Sequence, residues 1–423
     1  MKIVQIIILI LFAFLYSCTN VDNTKFTFDK TVELTISNSL DIQRVDELVS
    51  VDIAAIKLIH PEFNEKAIVV KVGDSELPSQ LYDKDADGKM DQILFNVFLQ
   101  PKEERDVTIY YAEKGEVTTE YKNRTYAELA VKVDYSKEDG IYNGGRFENV
   151  NEFRVPDDHK DHNKLFKYEG PGWESELVGY RFYLDWRNAT DIFGKKTNDL
   201  VLHKVGLGDV TGSNDSYHEM SDWGMDILKV GNSLGIGSIA TWNDSKINMV
   251  SETDSIYWKI LCNGPLLSEF QTTYYGWQVG DKKADLIART SIAAGSRLTR
   301  VKLQLKGNID NIVTGFAKHE NVVEMIKSDD DGGWQYISSY GNQSLSDDNL
   351  GIAVFYNYDN TRILDDDELN HYVVINAIGN EVEYYFAAVW EKELQPLLGR
   401  SEFIDYLQRV DDILKNPVII NIQ

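Results

Sequence analysis

Between Tyr180 and Arg187 the chain alternates without a break. Tyr180, Phe182, Leu184 and Trp186 fall on one parity, and Arg181, Tyr183, Asp185 and Arg187 on the other. Successive side chains of an extended strand leave opposite faces, so the first set faces a core and the second shares one face. Two guanidiniums, a phenol and a carboxylate on one face can do chemistry on an anionic ligand. A guanidinium forks a carboxylate with two parallel hydrogen bonds, and a phenol can hand over a proton. The plainer expectation is an antiparallel strand whose polar face is wet.

Loops around that strand supply further groups. His218 stands beside Tyr217, Glu219 and Asp222, with Trp223 close by, ahead of the glycine-rich run Ile227–Ala240, which reads as strand. Catalytic groups often sit in such loops on a sheet scaffold. Trp173, Glu174 and Glu176 follow the turn Gly170-Pro171-Gly172, and Arg146 and Glu148 precede it. His159 and His162 lie in a heavily charged loop and are expected at the surface, metal ligation being the lesser alternative. His319 ends the run Gly315–His319, where a satisfied structural histidine is the plain reading. Carboxylate pairs, Glu174 with Asp185 or Glu219 with Asp222, would suit a glycosidase. The sequence has no Gly-x-Ser-x-Gly elbow, phosphate loop, His-Glu-x-x-His or cysteine pair for zinc.

The elements that must position these groups are mostly β. Short strands such as Thr31–Ser37, Ala67–Val72, Gln92–Phe98 and Asp106–Tyr111 alternate with polar turns, as in a small β-sandwich. Between them, Asp83, Asp85, Asp87 and Asp91 surround a glycine turn that could gather carboxylates on a structural calcium; Leu94 occupies the place where an EF-hand carries its bidentate glutamate. A polar linker covers 114–124, and strands resume beyond Thr125, including Trp258–Cys262, Lys302–Lys306 and Glu383–Trp390. The expected fold is mostly β: an N-terminal β domain over 18–120, then a large antiparallel β-sandwich over 121–423, of the kind seen in galactose mutarotase. One helix closes the chain, Ser401–Lys415, with Ser401 as its cap, an apolar stripe of Phe403, Ile404, Leu407, Val410 and Leu414, and Asn416-Pro417 as its stop.

The first residues form a basic start, an apolar run from Ile3 to Tyr16, and Leu15-Tyr16-Ser17-Cys18. This reads as a lipoprotein signal over 1–17, with Cys18 as the acylated new N-terminus and the cell envelope, at the outer membrane, as the destination. Cys262 then has no partner, so the exported chain does without disulfides and must bury a real core. The formal charge is −25, which disfavours nucleic acid as a partner. The acidity is uneven: Arg146–Lys204 carries 10 Lys/Arg against 11 Asp/Glu. Aromatics reach 11%, with 8 Trp and 23 Tyr, a load that serves sheet faces and sugar stacking equally.

The motifs Gly170-Pro-Gly-Trp173-Glu-Ser-Glu-Leu-Val-Gly-Tyr-Arg181-Phe-Tyr, Asp191-Ile-Phe-Gly-Lys, Tyr217-His and Trp223-Gly-Met-Asp226-Ile-Leu-Lys-Val-Gly resemble a family of exported bacterial proteins from polysaccharide-utilisation clusters, long known only as a domain of unknown function. The resemblance implies an oligosaccharide dehydratase of ulvan breakdown. Such an enzyme removes water from a non-reducing-end uronic acid and leaves a 4,5-unsaturated uronate for a downstream unsaturated-uronyl hydrolase. Its partner would be a uronic-acid-terminated sulfated oligosaccharide. The reaction needs a neutralised carboxylate, a base at C5 and an acid for the C4 hydroxyl. Our assignment gives Arg181 and Arg187 the carboxylate, His218 the base, and Tyr183 or Tyr217 the acid. Glu174 would orient the histidine or bind hydroxyls, Trp173 and Trp223 would stack, and Arg146 and His319 would contact substrate. No cofactor is required for the chemistry. A polysaccharide lyase would use the same parts, and a non-catalytic sugar-binding lipoprotein would need none of the proton transfers.

Overall fold

The computed structural model describes residues 27–208, 216–322, 324–328 and 332–423. The fold is mostly β, with antiparallel sheets and a C-terminal helix, as the sequence reading expects. Near the N-terminus, Lys30–Ser37, Ile68–Val72, Ser75–Leu77 and Glu104–Tyr111 form one sheet, and Arg44–Asp52, Ser79–Tyr82 and Gln92–Leu99 a second. Their alternate residues meet: Val32, Leu34, Ile36, Val107 and Ile109 pack with Val49, Val51, Ile93, Phe95 and Val97. The last strand of the chain, Ile419–Ile422, returns to pair with Lys30–Ser37 in this first sheet. A short helix at Ile53–Ile59, too brief to leave a periodic signal, buries Ile53 and Ile56.

The larger body is a sandwich. A nine-stranded antiparallel sheet centres on Leu267–Val279, Lys282–Ala293, Leu298–Gly307, Glu381–Trp390 and Asn349–Asn357. Two five-stranded sheets contribute to the same core. One orders Gly224–Asp226, Thr190–Lys195, Val178–Phe182, Gly172–Ser175 and Thr125–Glu128. The other orders Lys246–Met249, Ala240–Asn243, Asn311–Ala317, Asn370–Asn376 and Thr361–Asp366. The helix Arg400–Lys415 lies on the nine-stranded sheet, its Phe403, Leu407 and Val410 against Tyr336, Ala353, Phe355 and Val389. Gly399, not Ser401, occupies the cap position; the Leu398 N–H donates to Glu402 Oε2 at 2.7 Å and Ser401 falls in the first turn.

Two local expectations fail for identifiable reasons. The alternating strand stops at Phe182. Asp185 accepts the Arg187 N–H at 2.9 Å and its carbonyl accepts that of Asn188 at 3.1 Å, a side-chain-assisted turn that Asn188 completes at φ 43. Trp186 is therefore 52% exposed and not in the core. Nor is Ile227–Ala240 a strand. Gly231, Gly235 and Gly237 all take positive φ, and extended structure begins only at Ala240.

Candidate active site

The polar face of the central strand is not wet. Strand register places Arg181 opposite Asp191 and Phe193 opposite Asp226, with Glu174 and Lys195 on the same face. Tyr168, Phe193, Val201, Leu202 and Val205 form an apolar layer there, flanked by Tyr126, Tyr217 and Trp223. The charges beneath are paired. Lys195 Nζ donates to Glu174 Oε2 at 2.7 Å, and Lys167 pairs with Glu128. Burial pushes both lysines below their ordinary range, and the partner glutamates hold them up.

Arg181 is the hub. It is 1% exposed. Nη2 donates to Asp191 Oδ2 at 2.8 Å and to Asp226 Oδ2 at 2.6 Å, while Nη1 donates to the Tyr217 hydroxyl at 3.0 Å. The Tyr183 hydroxyl donates to Asp191 Oδ2 at 2.6 Å. Burial works against the charge on Arg181, but Asp226, Tyr217 and Asp191 outweigh it and raise its pKa. Burial, and then the neighbouring Asp226, raise Asp191 to about 7 against the pull of Arg181. Tyr183 and Tyr217 are pushed upward by burial, so both phenols keep their protons.

At the edge of this cluster His218 reaches solvent. Its side chain is 57% exposed, and Nδ1 lies 3.2 Å from Asp226 Oδ2, whose own carboxylate is buried. The His218 and Tyr217 rings are 4.3 Å apart. Asp226 is fixed from both sides, because its N–H donates to the Tyr217 carbonyl at 2.8 Å and Arg181 grips its carboxylate. A carboxylate on Nδ1 sets the tautomer and leaves Nε2 as a base, the arrangement used in hydrolytic triads. Next to it, Arg187 donates from Nε to Asp185 at 2.9 Å and from Nη2 to Glu169 at 2.9 Å, with its guanidinium 3.9 Å from the centre of the Tyr183 ring. His162 Nε2 lies 3.7 Å from the same Glu169, on an exposed side chain. His159 is half-buried against Phe166, and burial lowers its pKa.

The structure thus brings Arg181, Tyr183, Arg187, Tyr217 and His218 together and places others elsewhere. Arg181 is sealed by two aspartates, so its fork is not offered to a substrate. Trp173 lies 1% exposed between sheets, its indole N–H donating to Thr299 at 2.8 Å, which leaves no ring face for a sugar. Glu174 is fully buried; one oxygen takes Lys195 and the other the N–H groups of Val201 and Leu202 at 2.7 Å each, so it anchors a turn and does not reach the histidine. Trp223 packs edge-on against Phe193 and is partly exposed. Arg146 sits on the surface, tied to Asp134 and Glu148. His319 is lowered in pKa by burial and lies near Lys229. Glu176 binds Arg124 and the Gly295 N–H, and Glu219 and Asp222 are exposed. Of the aspartate turn, Asp83, Asp85 and Asp91 bring carboxylate oxygens within 4.8 Å of one another, whereas Asp87 turns away to Lys89. Cys262 is unpaired in a half-buried apolar cluster that raises its thiol to about 12. Cys18 lies outside the described residues.

Asp191, Asp226 and Glu169 had no assigned role in the sequence reading. A signal for the first was present. With Asp185-Trp-Arg-Asn188 taken as a turn, Thr190–Lys195 becomes the second arm of a hairpin and Asp191 falls opposite Arg181.

Among solved structures, a protein in the Glycosyl Hydrolase Family 38 from Enterococcus faecalis aligns with TM-score 0.45 and 9% identity, covering 93% of this chain and 48% of its own. An alpha-mannosidase from Enterococcus faecalis V583 gives the same score and identity, with 46% of its chain covered. The chain thus spans about half the length of each, and at this level the likeness assigns no reaction. A relative from Formosa agariphila, described as "Uncharacterized protein P7", is 25% identical over 412 residues, 92% of this chain and 93% of that one. The model of the family described as "Domain of unknown function (DUF4861)" matches residues 36–420, and the chain belongs to that family.

Proposed function

We propose that this protein is a carbohydrate dehydratase that eliminates water from a non-reducing-end uronic acid of ulvan-type oligosaccharides. The observation that carries the reading is the exposed His218 imidazole held on a buried Asp226, beside a Tyr217 hydroxyl that already accepts a hydrogen bond from Arg181. In this reading His218 Nε2 takes the proton from C5, and the C5–H electron pair forms the C4–C5 double bond. The C4–O bond breaks as Tyr217 donates its proton, so the hydroxyl leaves as water. Arg181 stabilises the phenolate that Tyr217 becomes, and Asp226 stabilises the imidazolium. Proton return from His218 to Tyr217 through solvent restores the site. Arg187 is the guanidinium nearest the rim and would receive the substrate carboxylate by exchanging one of its own carboxylate partners.

The test is incubation of the soluble protein with uronate-terminated ulvan oligosaccharides, followed by mass and ultraviolet analysis. Loss of one water with new unsaturated-uronate absorbance and unchanged chain length supports the dehydratase. Shortened unsaturated chains make it a lyase and shortened saturated chains a glycosidase. Binding without product leaves a sugar-capturing protein. Anchoring of the chain at the outer membrane through acylated Cys18 belongs to the same proposal, and labelling with a palmitate analogue, abolished by Cys18→Ala, checks it. A structural calcium at Asp83, Asp85 and Asp91 is proposed alongside. Calcium at a hundredfold excess over its dissociation constant should then stabilise the protein by about 2.7 kcal/mol, read as a raised Tm that a chelator reverses.

A further inference from the structure

A second concave surface lies on the outer face of the other five-stranded sheet. Its volume is about 340 Å³, within the range of small-ligand sites. The Trp242 and Tyr372 rings stack in its wall, with centroids 5.5 Å apart and planes at 24°. Tyr372 is 3% exposed and backs the partly exposed indole. Met249 and Ile247 extend the apolar wall, and Asn232, Ser245 and Asp367 stand at the rim.

The polar groups are arranged, not scattered. Asp367 Oδ1 accepts the N–H groups of Leu369 and Asn370 at 2.8 and 2.7 Å. Among the described residues Oδ2 takes a 3.4 Å contact from the Asn370 amide and no shorter one, which leaves it able to take hydroxyl donors. Asn370 is itself buried and fixed, its Oδ1 accepting the Leu234 N–H at 2.7 Å. The indole is set by its strand, where the Trp242 N–H donates to buried Asn311 Oδ1 at 2.8 Å. The hairpin beside it holds Asp244 and Ser245 at φ 51 and 58, conformations that non-glycine residues adopt at a cost.

We propose that this surface is a second, non-catalytic binding site for a neutral, hydroxyl-rich pyranose. An indole supplies an apolar platform for the C–H face of a sugar ring, and a rim of amide, hydroxyl and carboxylate oxygens takes its hydroxyls. The charge argues for a neutral sugar. Asp367 and Lys246 are the charged residues of its lining and offset each other, and the neighbouring Asp366 is already paired with Lys318. Among the described residues no unpaired guanidinium fork is therefore offered there to a uronate or sulfate. The site is within reach of the His218–Asp226 pair, because the segment leaving Asp226 arrives at the rim at Asn232, at most about 20 Å of extended chain.

The proposal does not depend on the reaction at His218, and its test reads binding alone. The full soluble chain is titrated with neutral tetrasaccharides of xylan and glucan and with methyl rhamnoside, followed by calorimetry and tryptophan fluorescence. At least one probe should bind, and Trp242→Ala should weaken it by about tenfold or more, as expected for an aromatic anchor. Because Trp242 also packs in the sheet, Asn232→Trp, an exposed change that fills the mouth, and Asp367→Asn are tested in parallel. Each should lower affinity while circular dichroism and Tm stay at the wild-type values. Absence of binding by every probe, or affinity unchanged in Asn232→Trp and Asp367→Asn, overturns the proposal.

Discussion

Among the described residues His218 pairs through Nδ1 with Asp226, lies against the Tyr217 ring and is still 57% exposed, so its removal should separate activity from stability. His218→Ala is expected to lower kcat by about 10²- to 10⁴-fold, with Tm moved by little, measured by a continuous absorbance assay and by calorimetry on one preparation. Asp226→Asn should behave otherwise. It removes a buried negative charge from Arg181 as well as the histidine's orienting partner, so both kcat and Tm should fall. The residue types were legible in the chain, since Arg181, Tyr183, Tyr217 and His218 all stand out by chemistry and meet in one cluster. Depth was not legible. Alternation tells which side of a strand Glu174 and Arg181 occupy but not that the loops around Tyr168, Val201 and Tyr217 close over that side. Once covered, Arg181 becomes an internal tether for two aspartates, and Arg187, displaced into a turn, is left nearer the rim.

At the scale of elements, the Gly170-Pro171-Gly172 turn explains itself by contact. A Cβ on Gly170 would lie 2.0 Å from the Phe182 carbonyl oxygen, and one on Gly172 would lie 2.3 Å from the Tyr168 hydroxyl. That hydroxyl donates to buried Glu128 at 2.6 Å. Gly172→Ala should therefore destabilise the protein by about 1–3 kcal/mol, seen as a lower urea midpoint with unchanged slope. The neighbouring Glu174–Lys195 pair gives a larger effect. Glu174→Ala strands a buried ammonium and frees two turn N–H groups, a loss of about 3–5 kcal/mol in the same experiment. Two long strands were readable for different reasons. Lys302–Lys306 alternates over the sheet, whereas Glu383–Trp390 is an apolar run buried on both faces. Its Tyr384 and Phe386 lie in the sandwich core, and Ala387 and Val389 lie under the helix. The central strand was extended too far because Leu184–Arg187 keeps the alternation after Asp185 has already turned the chain. Periodicity registers side-chain type, and the turn is written in one carboxylate.

At the scale of the whole molecule, burial moves two carboxyls among the described residues, Asp191 and Glu393, far above their usual range. Asp191 and Glu393 are each raised to about 7, first by burial, then for Asp191 by the nearby Asp226, while Arg297 opposes the shift at Glu393. At these two groups the folded state holds protons that the unfolded chain has released. Their contribution to stability is full below the ordinary carboxyl range and is lost as pH rises through about 7. His159, His319 and His371, lowered by burial, contribute with the opposite sign. The measurement that isolates Glu393 is the difference in stability between wild type and Glu393→Gln from pH 5 to pH 8. Over that range the wild type should lose ~3 kcal/mol relative to the variant. The acidic balance of −25 adds repulsion in the same direction, so the variant, not the slope alone, identifies the group. The sequence made the sandwich class readable through its many short strands and late helix, but not the return of Ile419–Ile422 to the first sheet, because such long-range pairing leaves no local pattern. The central claim is water elimination by a base on Asp226. It is tested most directly by mass spectrometry of a uronate-terminated ulvan tetrasaccharide after incubation with wild type and with His218→Ala. The account predicts loss of one water at unchanged chain length with the wild type and intact starting material with the variant. Unaltered oligosaccharide in both, or equal dehydration by the variant, would contradict it.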